Sequence, residues 1–305
     1  MENDDIIVSI GLPVYNGEKF LKKRIDNILN QTHQNIELII SDNHSNDRTS
    51  EICKRYESKD IRIKYYFQEK QIPITKNFGF VLAKSTGKYF AWASIDDILE
   101  STFIEKNLRI LEKNNKIVCS AGQVESFGEK TNFLKKNKSK SKILGWWKKI
   151  IQKNARIKNI STSGSYEENV RLFLKLKGYQ QIFYGLFRTN QLKKMMVYNL
   201  TYTFDWAILL NGLKFGNYYV IDEILMYRYD GGISSGGLFN VRKKLNLNLI
   251  NTIFMNGKFI LWCWKNLGKK IFLKNLDCFV RAIFDGFIYL GIDSLRWFRK
   301  KLFKN

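Results

Sequence analysis

The alternation of strand-like and helix-like stretches over the first 122 residues constrains this chain more than any other feature. Short runs rich in β-branched and aromatic residues stand at 6–10 (IIVSI), 36–40 (IELII), 61–67 (IRIKYYF), 88–93 (KYFAWA) and 116–121 (KIVCSA). Between them apolar residues recur at helical spacing, as in Leu21, Ile25, Ile28 and Leu29 or Ile104, Leu108 and Leu111. A strand that returns through a helix pairs in parallel with its neighbour, and a parallel sheet needs helices on both faces. The pattern therefore predicts an α/β fold with a mostly parallel sheet, whose binding edge lies at the strand carboxyl ends.

At that edge the stretch Lys88–Leu99, KYFAWASIDDIL, sets Asp96 and Asp97 directly after an apolar run of strand length. Carboxylates placed there can hold a divalent cation against a diphosphate, because hard cations take oxygen donors and keep phosphate oxygens and waters around them. An Asp pair after a strand also serves as an ordinary turn or helix start.

The formal net charge of +23 suggests nucleic acid until it is mapped along the chain. Residues 130–160 carry eleven Lys/Arg and no acid, residues 240–305 carry fourteen against three, and the remainder carries 26 against 25. The body is nearly neutral, so the excess belongs to two local surfaces, and no nucleic-acid module accompanies it. Four cysteines at wide spacings, without a C-x-x-C pair, and an acidic start that runs straight into a strand predict reduced thiols and a cytoplasmic protein. Two histidines, His33 and His44, fall in loop-like stretches without a metal-ligand or nucleophile partner.

Neither G-x-G-x-x-G after the first strand nor G-x-x-x-x-G-K-[ST] occurs, which removes the main support for dinucleotide oxidoreductases and P-loop NTPases. Three ordered segments point elsewhere: GLPVYNGEKFL (Gly11–Leu21), QTHQNIELIISDNHSNDRT (Gln31–Thr49) and ITKNFGFVLAKSTGKYFAWASIDD (Ile74–Asp97). Together they resemble the nucleotide-sugar half of family 2 glycosyltransferases, and the likeness extends more loosely through YGLFRT (Tyr184–Thr189), FDWAILL (Phe204–Leu210) and LMYRYDGGIS (Leu225–Ser234). The resemblance implies a GT-A fold, a sugar-nucleotide donor, Mn²⁺ or Mg²⁺, and inversion at the anomeric carbon. Residues 1–122 would form the nucleotide-sugar-binding half, 123–239 the acceptor-binding half of the same catalytic domain, and 240–305 a basic amphipathic helical extension.

Residue by residue, the resemblance places Pro13, Tyr15 and Asn16 against the nucleotide, and on spacing Asn16 is also an N-cap for the helix that follows. Asp42 matches the reader of a uracil or thymine N3–H, with an Asx-turn as the plain alternative, and Ser41 stands where many relatives have a second acid. Lys76 and Asn77 match positions near the diphosphate, and Arg228 matches a basic position able to reach it, before a Gly231–Gly232 loop. Ser94-Ile95-Asp96 occupies the D-x-D position with Ser in place of the first Asp, leaving Asp96 as the metal ligand and Asp97 behind it. Asp205, at the start of an acceptor-side helix, matches the general base, with Trp206 beside it as a sugar platform or a core residue and with Glu223 and Asp230 as weaker substitutes.

In the last sixty-five residues Asp277, Arg281, Asp285, Tyr289, Asp293, Arg296 and Lys300 draw a narrow polar stripe on an otherwise apolar helix, and upstream Trp262 and Trp264 interleave with lysines. No segment reaches 18 uncharged apolar residues. The tail reads either as a helical cap on the core or as an interfacial anchor on an anionic membrane, at the inner face of the plasma membrane, beside a lipid-linked acceptor. The leading expectation is an inverting, metal-dependent glycosyltransferase of the hexosyltransferase type, moving a sugar from a UDP- or dTDP-sugar to a saccharide or lipid-linked saccharide hydroxyl in surface polysaccharide biosynthesis. The alternative is a GT-A-like protein that binds a sugar nucleotide or glycan without transfer.

Overall fold

The computed structural model describes residues 6–128, 159–176, 179–200, 203–231 and 256–302. Nearly all of the basic run at 130–160, and Gly232 of the expected loop, lie outside these residues.

Eight strands form one sheet: β1 (Val8–Val14), β2 (Ile36–Asp42), β3 (Ile63–Phe67), β4 (Tyr89–Trp92), β5 (Ile98–Leu99), β6 (Ile117–Phe127), β7 (Leu186–Arg188) and β8 (Asn217–Tyr229), in the order β3-β2-β1-β4-β7-β6-β8-β5. The first four pair in parallel, as do β6 and β8, whereas β7 runs antiparallel to both of its neighbours and β5 antiparallel to β8. This is the mostly parallel sheet that the alternation demands. The five sequence-predicted strands are β1–β4 and β6. The proposed boundary at residue 122 falls inside β6, so the two halves share one sheet.

Packing follows the strand period of two. Val8, Ile10, Leu12, Leu38, Ile40, Tyr89 and Ala91 face one core, shared with α1 (Glu18–Leu29) and α4 (Phe103–Lys113), which bury Leu21, Ile25, Ile28, Ile104, Leu108 and Leu111. Ile39, Phe90 and Trp92 face the opposite core with α3 (Ile74–Ala83). Gly11 on β1 is required here: a Cβ would lie 2.5 Å from Phe90 and 2.6 Å from Val81, so only hydrogen lets α3 settle on the strand. The remaining helices are α2 (Thr49–Glu57), α5 (Tyr166–Lys175), α6 (Thr189–Met195), α7 (Phe204–Gly212), α8 (Gly257–Asn266), α9 (Lys269–Lys274) and α10 (Leu276–Leu302), with a 3₁₀ turn at Tyr179–Tyr184. Phe259, Trp262, Cys263, Phe272 and Phe279 of the last three helices join the same core as Ala207–Leu210 of α7. All four cysteines are buried and unbridged.

The amino ends of the strands are pinned by Glu37. Its carboxylate accepts from Ser9 Oγ (2.6 Å), Thr86 Oγ1 (2.8 Å), Thr86 N (2.6 Å) and Lys64 Nζ (2.7 Å). Burial alone would raise its pKa, but these donors outweigh burial and hold it down at about 2.

Candidate active site

Loops at the carboxyl ends of β1, β2 and β4 converge. A Cβ on Gly17 would lie 3.2 Å from Ile95, so the turn after β1 touches the carboxylate loop after β4. Tyr15 is 48% exposed at this edge, and Pro13 is half-buried. The spacing-based expectation that Asn16 caps α1 is corrected by the structure. Asn16 adopts φ +50°, donates its N–H to Ser45 Oγ (2.8 Å) and accepts from Asn46 N, while Gly17 is the residue that precedes the helix. The free N–H groups of α1 are satisfied from the next loop instead: Gly17 N donates to Thr49 Oγ1 (2.8 Å) and Glu18 N to Asp47 Oδ2 (3.1 Å). A cap borrowed from a residue some thirty positions away leaves no local signature.

Asp42 is fully buried at the end of β2. Its Oδ1 accepts from Ser45 N (2.9 Å), which is the Asx-turn, and its Oδ2 accepts from Tyr65 OH (3.0 Å), so contact with a base requires the Asn43–Thr49 loop to open. Asn77 is buried too, accepting from Ser41 Oγ (2.6 Å) and donating to Ser41 O (3.2 Å); it ties α3 to β2. Its neighbour Lys76 is exposed.

After β4, Ser94 Oγ donates to Asp96 Oδ1 at 2.5 Å and fixes the rotamer of that half-buried carboxylate. Asp97, only 6% exposed, accepts from Tyr229 N (2.9 Å) at the end of β8. Burial and then the charge of Asp96 push Asp97 up to about 6, against the pull of the Tyr229 N–H, Arg24 and Arg228. Arg24, on the apolar face of α1, is 2% exposed; its Nη1 donates to Asn27 Oδ1 (2.7 Å), and its Nε meets no acceptor. Burial lowers its pKa to about 10, opposed by Asp97, Asp96 and Tyr184. One helical turn on, Asn27 brackets Leu99 through Leu99 O (2.8 Å) and Leu99 N (3.0 Å), and Gln31 donates to Glu100 O (2.9 Å). Arg24 and Asn27 on α1 and Gln31 just past its end form a polar ladder, of which Asn27 and Gln31 fasten the chain just beyond the carboxylates.

Asp205 opens α7. Burial raises its pKa to about 6, although its carboxylate accepts from the N–H groups of Trp206 and of its own residue. Thr203, the residue before the helix, holds φ +65°. Together with Asn16 and His44 (φ +64°) it is one of three non-glycine residues in this region of backbone space among those described, and the other two tolerate it more readily than a β-branched threonine. Such strain, of order 1–3 kcal/mol, gathers at functional loops. Between the two carboxylate stations stands Tyr184, half-buried and packed against both cores. Burial raises its hydroxyl well above the usual range, helped by Asp97, Asp205 and Asp96, while a hydrogen bond with Ser94 lowers it. Trp206 meets Phe173 (6.3 Å) and Phe259 (5.7 Å) edge-on, which makes it a core residue. Glu223 pairs with Lys106 Nζ at 2.5 Å on the exposed side of β8, and half-buried Arg228 directly follows Tyr227, where the pairing with β5 ends.

The model of the family described as Glycosyl transferase family 2 matches residues 9–170, more than half of the 305-residue chain. The chain belongs to glycosyl transferase family 2. Relatives of this family-2 chain include an uncharacterized glycosyltransferase of Rickettsia bellii, 34% identical over 48% of this chain and 21% of that protein. Glycosyltransferase GlyG of Streptococcus pneumoniae is 37% identical over 32% of this chain and 33% of that protein. The chain thus spans well under half the length of these relatives. The fold resembles that of S. aureus TarS 1-349 in complex with UDP, at 16% identity and a TM-score of 0.55 over 73% of this chain and 60% of that one. TarS 1-349 alone gives the same TM-score at 14% identity over 92% of this chain and 80% of that one. Such likeness supports a GT-A fold with a helical C-terminal region.

The donor set suits a hard cation only in part. Among the described residues no cluster of three or more His, Cys, Asp or Glu side chains gathers, so Asp96, with Asp97 behind it, supplies two carboxylates and no cage. That chemistry fits Mg²⁺ or Mn²⁺ completed by diphosphate oxygens and water. Sequence reasoning named Asp96, Asp97 and Asp205 and did not single out Arg24 or Tyr184, which the structure sets beside them. Arg24 carried a signal: with Leu21, Ile25 and Ile28 it shares the buried face of α1, where a charge demands a partner.

Proposed function

We propose that this family 2 chain is an inverting, metal-dependent hexosyltransferase that moves a sugar from a UDP- or dTDP-sugar to the hydroxyl of a saccharide or lipid-linked saccharide, in the assembly of a surface polysaccharide or lipopolysaccharide. The observation that carries this reading is Tyr184, packed against both cores and within electrostatic reach of Asp96 and Asp97 after β4 and of Asp205 at the start of α7. TarS 1-349 has been solved with UDP and with UDP-GlcNAc, which supports a uridine donor.

In this reading ionised Asp205 takes the proton of the acceptor hydroxyl as that oxygen attacks the anomeric carbon from the face opposite the diphosphate. The new glycosidic C–O bond forms as the old one breaks, and the diphosphate leaves with the electron pair. A carboxylate with a pKa of about 6 is ionised at neutral pH yet basic enough to accept a proton, which suits a general base. Asp96, held by Ser94, is the metal ligand, and Asp97 backs it; a bound Mn²⁺ or Mg²⁺ would neutralise charge on the leaving diphosphate. Lys76 and Arg228 add cationic charge, Pro13, Tyr15 and Asn16 face the nucleotide, and Asp42 reads the base when its loop opens. Asn77 acts from behind, by holding Ser41.

Calorimetry of UDP- and dTDP-sugars with and without Mn²⁺ tests the donor half: the wild type binds more tightly with metal, and Asp96→Ala loses that gain. Equal affinity in Asp96→Ala would sink the metal assignment. Ser94 in place of the first acid favours a second reading, a sugar-nucleotide-binding protein without transfer; donor hydrolysis or transfer by the wild type, absent in Asp205→Asn, decides against it. The chain would sit peripherally on the inner face of an anionic membrane. No described helix is long and apolar enough to cross one.

A further inference from the structure

The C-terminal helices have two faces with opposite chemistry. Inward, Phe259, Trp262, Cys263, Phe272 and Phe279 complete the core beneath α7, and Phe272 stacks on Phe279 at 4.5 Å. Ion pairs bolt the same helices to α5: Arg171 Nη2 donates to Asp277 Oδ2 (2.9 Å), and Lys274 Nζ to Glu167 Oε2 (2.7 Å). Outward, Leu276, Val280, Ile283, Phe284, Phe287 and Ile288 are exposed, Phe284 by 63% and Ile288 by 59%. They recur at i, i+4, i+7, i+8, i+11 and i+12, which draws one straight apolar stripe along α10. Leu261, Trp264 and Leu273 extend it onto α8 and α9. Of nineteen large apolar side chains exposed among the described residues, nine lie between 261 and 288, a patch rather than a scatter.

The charges around this patch decide its occupant. Lys258, Lys265 and Lys269 are exposed on α8 and α9, while the acids Asp277 and Asp285 of α10 are each taken by an arginine, Arg171 and Arg281. A second copy docked by a two-fold axis would bring each lysine against the like-charged rim of its partner. An anionic bilayer offers the complement to both features at once, acyl chains for the stripe and headgroups for the rim. We propose that this outer face is a membrane-docking surface, with α10 lying in the plane of an anionic bilayer. It rests on the peripheral location given above and names the face responsible; because the inner face is built into the same core as α7, docking fixes the orientation of the active site relative to the lipid surface. Cap and anchor are then two sides of one element.

The test uses the full-length chain and vesicles of phosphatidylcholine with or without phosphatidylglycerol. The wild type should sediment with the anionic vesicles at low salt, release as salt rises, and ignore phosphatidylcholine alone. Phe284→Ser and Ile288→Ser should each weaken partition about tenfold, and Lys265→Glu with Lys269→Glu should abolish the preference for anionic vesicles. Circular dichroism melts and calorimetric donor binding of each variant should match the wild type, since these side chains touch neither core nor site. Wild-type protein that stays in the supernatant at low salt overturns the proposal, as does light scattering that shows a dimer broken by the same substitutions. If vesicles bind but no sugar nucleotide does, the docking face stands and the transferase reading falls.

Discussion

The Ser94–Asp97 loop and the start of α7 both hold a carboxylate pushed up to about 6, and they reach it by different routes. Asp97 is caught between opposing neighbours: burial and Asp96 raise it, while Tyr229 N–H, Arg24 and Arg228, from β8 and α1, pull it down. Asp205 is raised by burial alone, and among the described residues its donors belong to its own helix end. A group balanced by three elements is a pivot whose removal disturbs the frame. One balanced by its own helix can change protonation while its surroundings stay still. In the proposed reading this contrast suits metal support at the loop and proton transfer at α7.

The largest effect expected from this contrast is at α7. Asp205→Asn keeps the shape and the helix-start hydrogen bonding but should lower kcat by about 10²–10⁴, with donor Kd unchanged; a variant that transfers at the wild-type rate places the base elsewhere. Next comes the loop. Ser94→Ala frees the Asp96 rotamer and should weaken Mn²⁺-dependent donor binding about 10–100-fold, the usual loss when a ligand's supporting hydrogen bond goes, with little change in the pH profile. Calorimetry reads both.

A pH series sharpens the comparison further. Because the base works ionised, kcat should fall about tenfold per unit below pH 6. For stability the sign is opposite: a folded-state pKa of about 6 lies above the unfolded value of about 3.9, so the ionised form is disfavoured in the fold, and this contribution to stability is present below pH 4 and lost as pH rises through 6. Asp205→Asn should therefore melt higher than wild type at pH 8 and level with it at pH 4. A lower melting point at pH 8 would show that the carboxylate is needed by the fold. The smallest effect is at Tyr184, whose hydroxyl joins the two stations. Tyr184→Phe should cost about 1 kcal/mol, roughly fivefold in kcat/KM, and combining it with Ser94→Ala should add nothing further, since both break one hydrogen bond.

How much of this was legible in the chain depends on the range of the interactions. The period of two in β1, β2 and β4 and the 3.6 period in α1 and α4 are local, and they predicted these elements correctly. Strands β5, β7 and β8 were missed: two are only two or three residues long, and β8 carries exposed Asp222 and Glu223 and pairs with β6 through register shifts that break alternation. Asp96, Asp97 and Asp205 could be named as candidates because the motifs around them are contiguous. Arg24 and Tyr184 act on carboxylates far away in sequence, and the cap of α1 comes from Asp47 and Thr49. Along the tail Asp277 and Arg281 fit the expected polar stripe, while the side chains at 289, 293, 296 and 300 lie outside the described residues.

The hydrogen bond from Tyr229 N–H to Asp97 spans 132 positions. Chains emerge at about 5–20 residues per second and their early parts fold first, so roughly 7–26 seconds of synthesis separate the two partners. The parallel layers β1 to β4 can close meanwhile, with the carboxylate loop still wet and its charges screened. Only when the last strand arrives is that loop enclosed and Asp97 drawn out of water. Enclosure of that loop is a late event in the life of each nascent chain, and a polypeptide released before β8 lacks the Tyr229 N–H that holds Asp97.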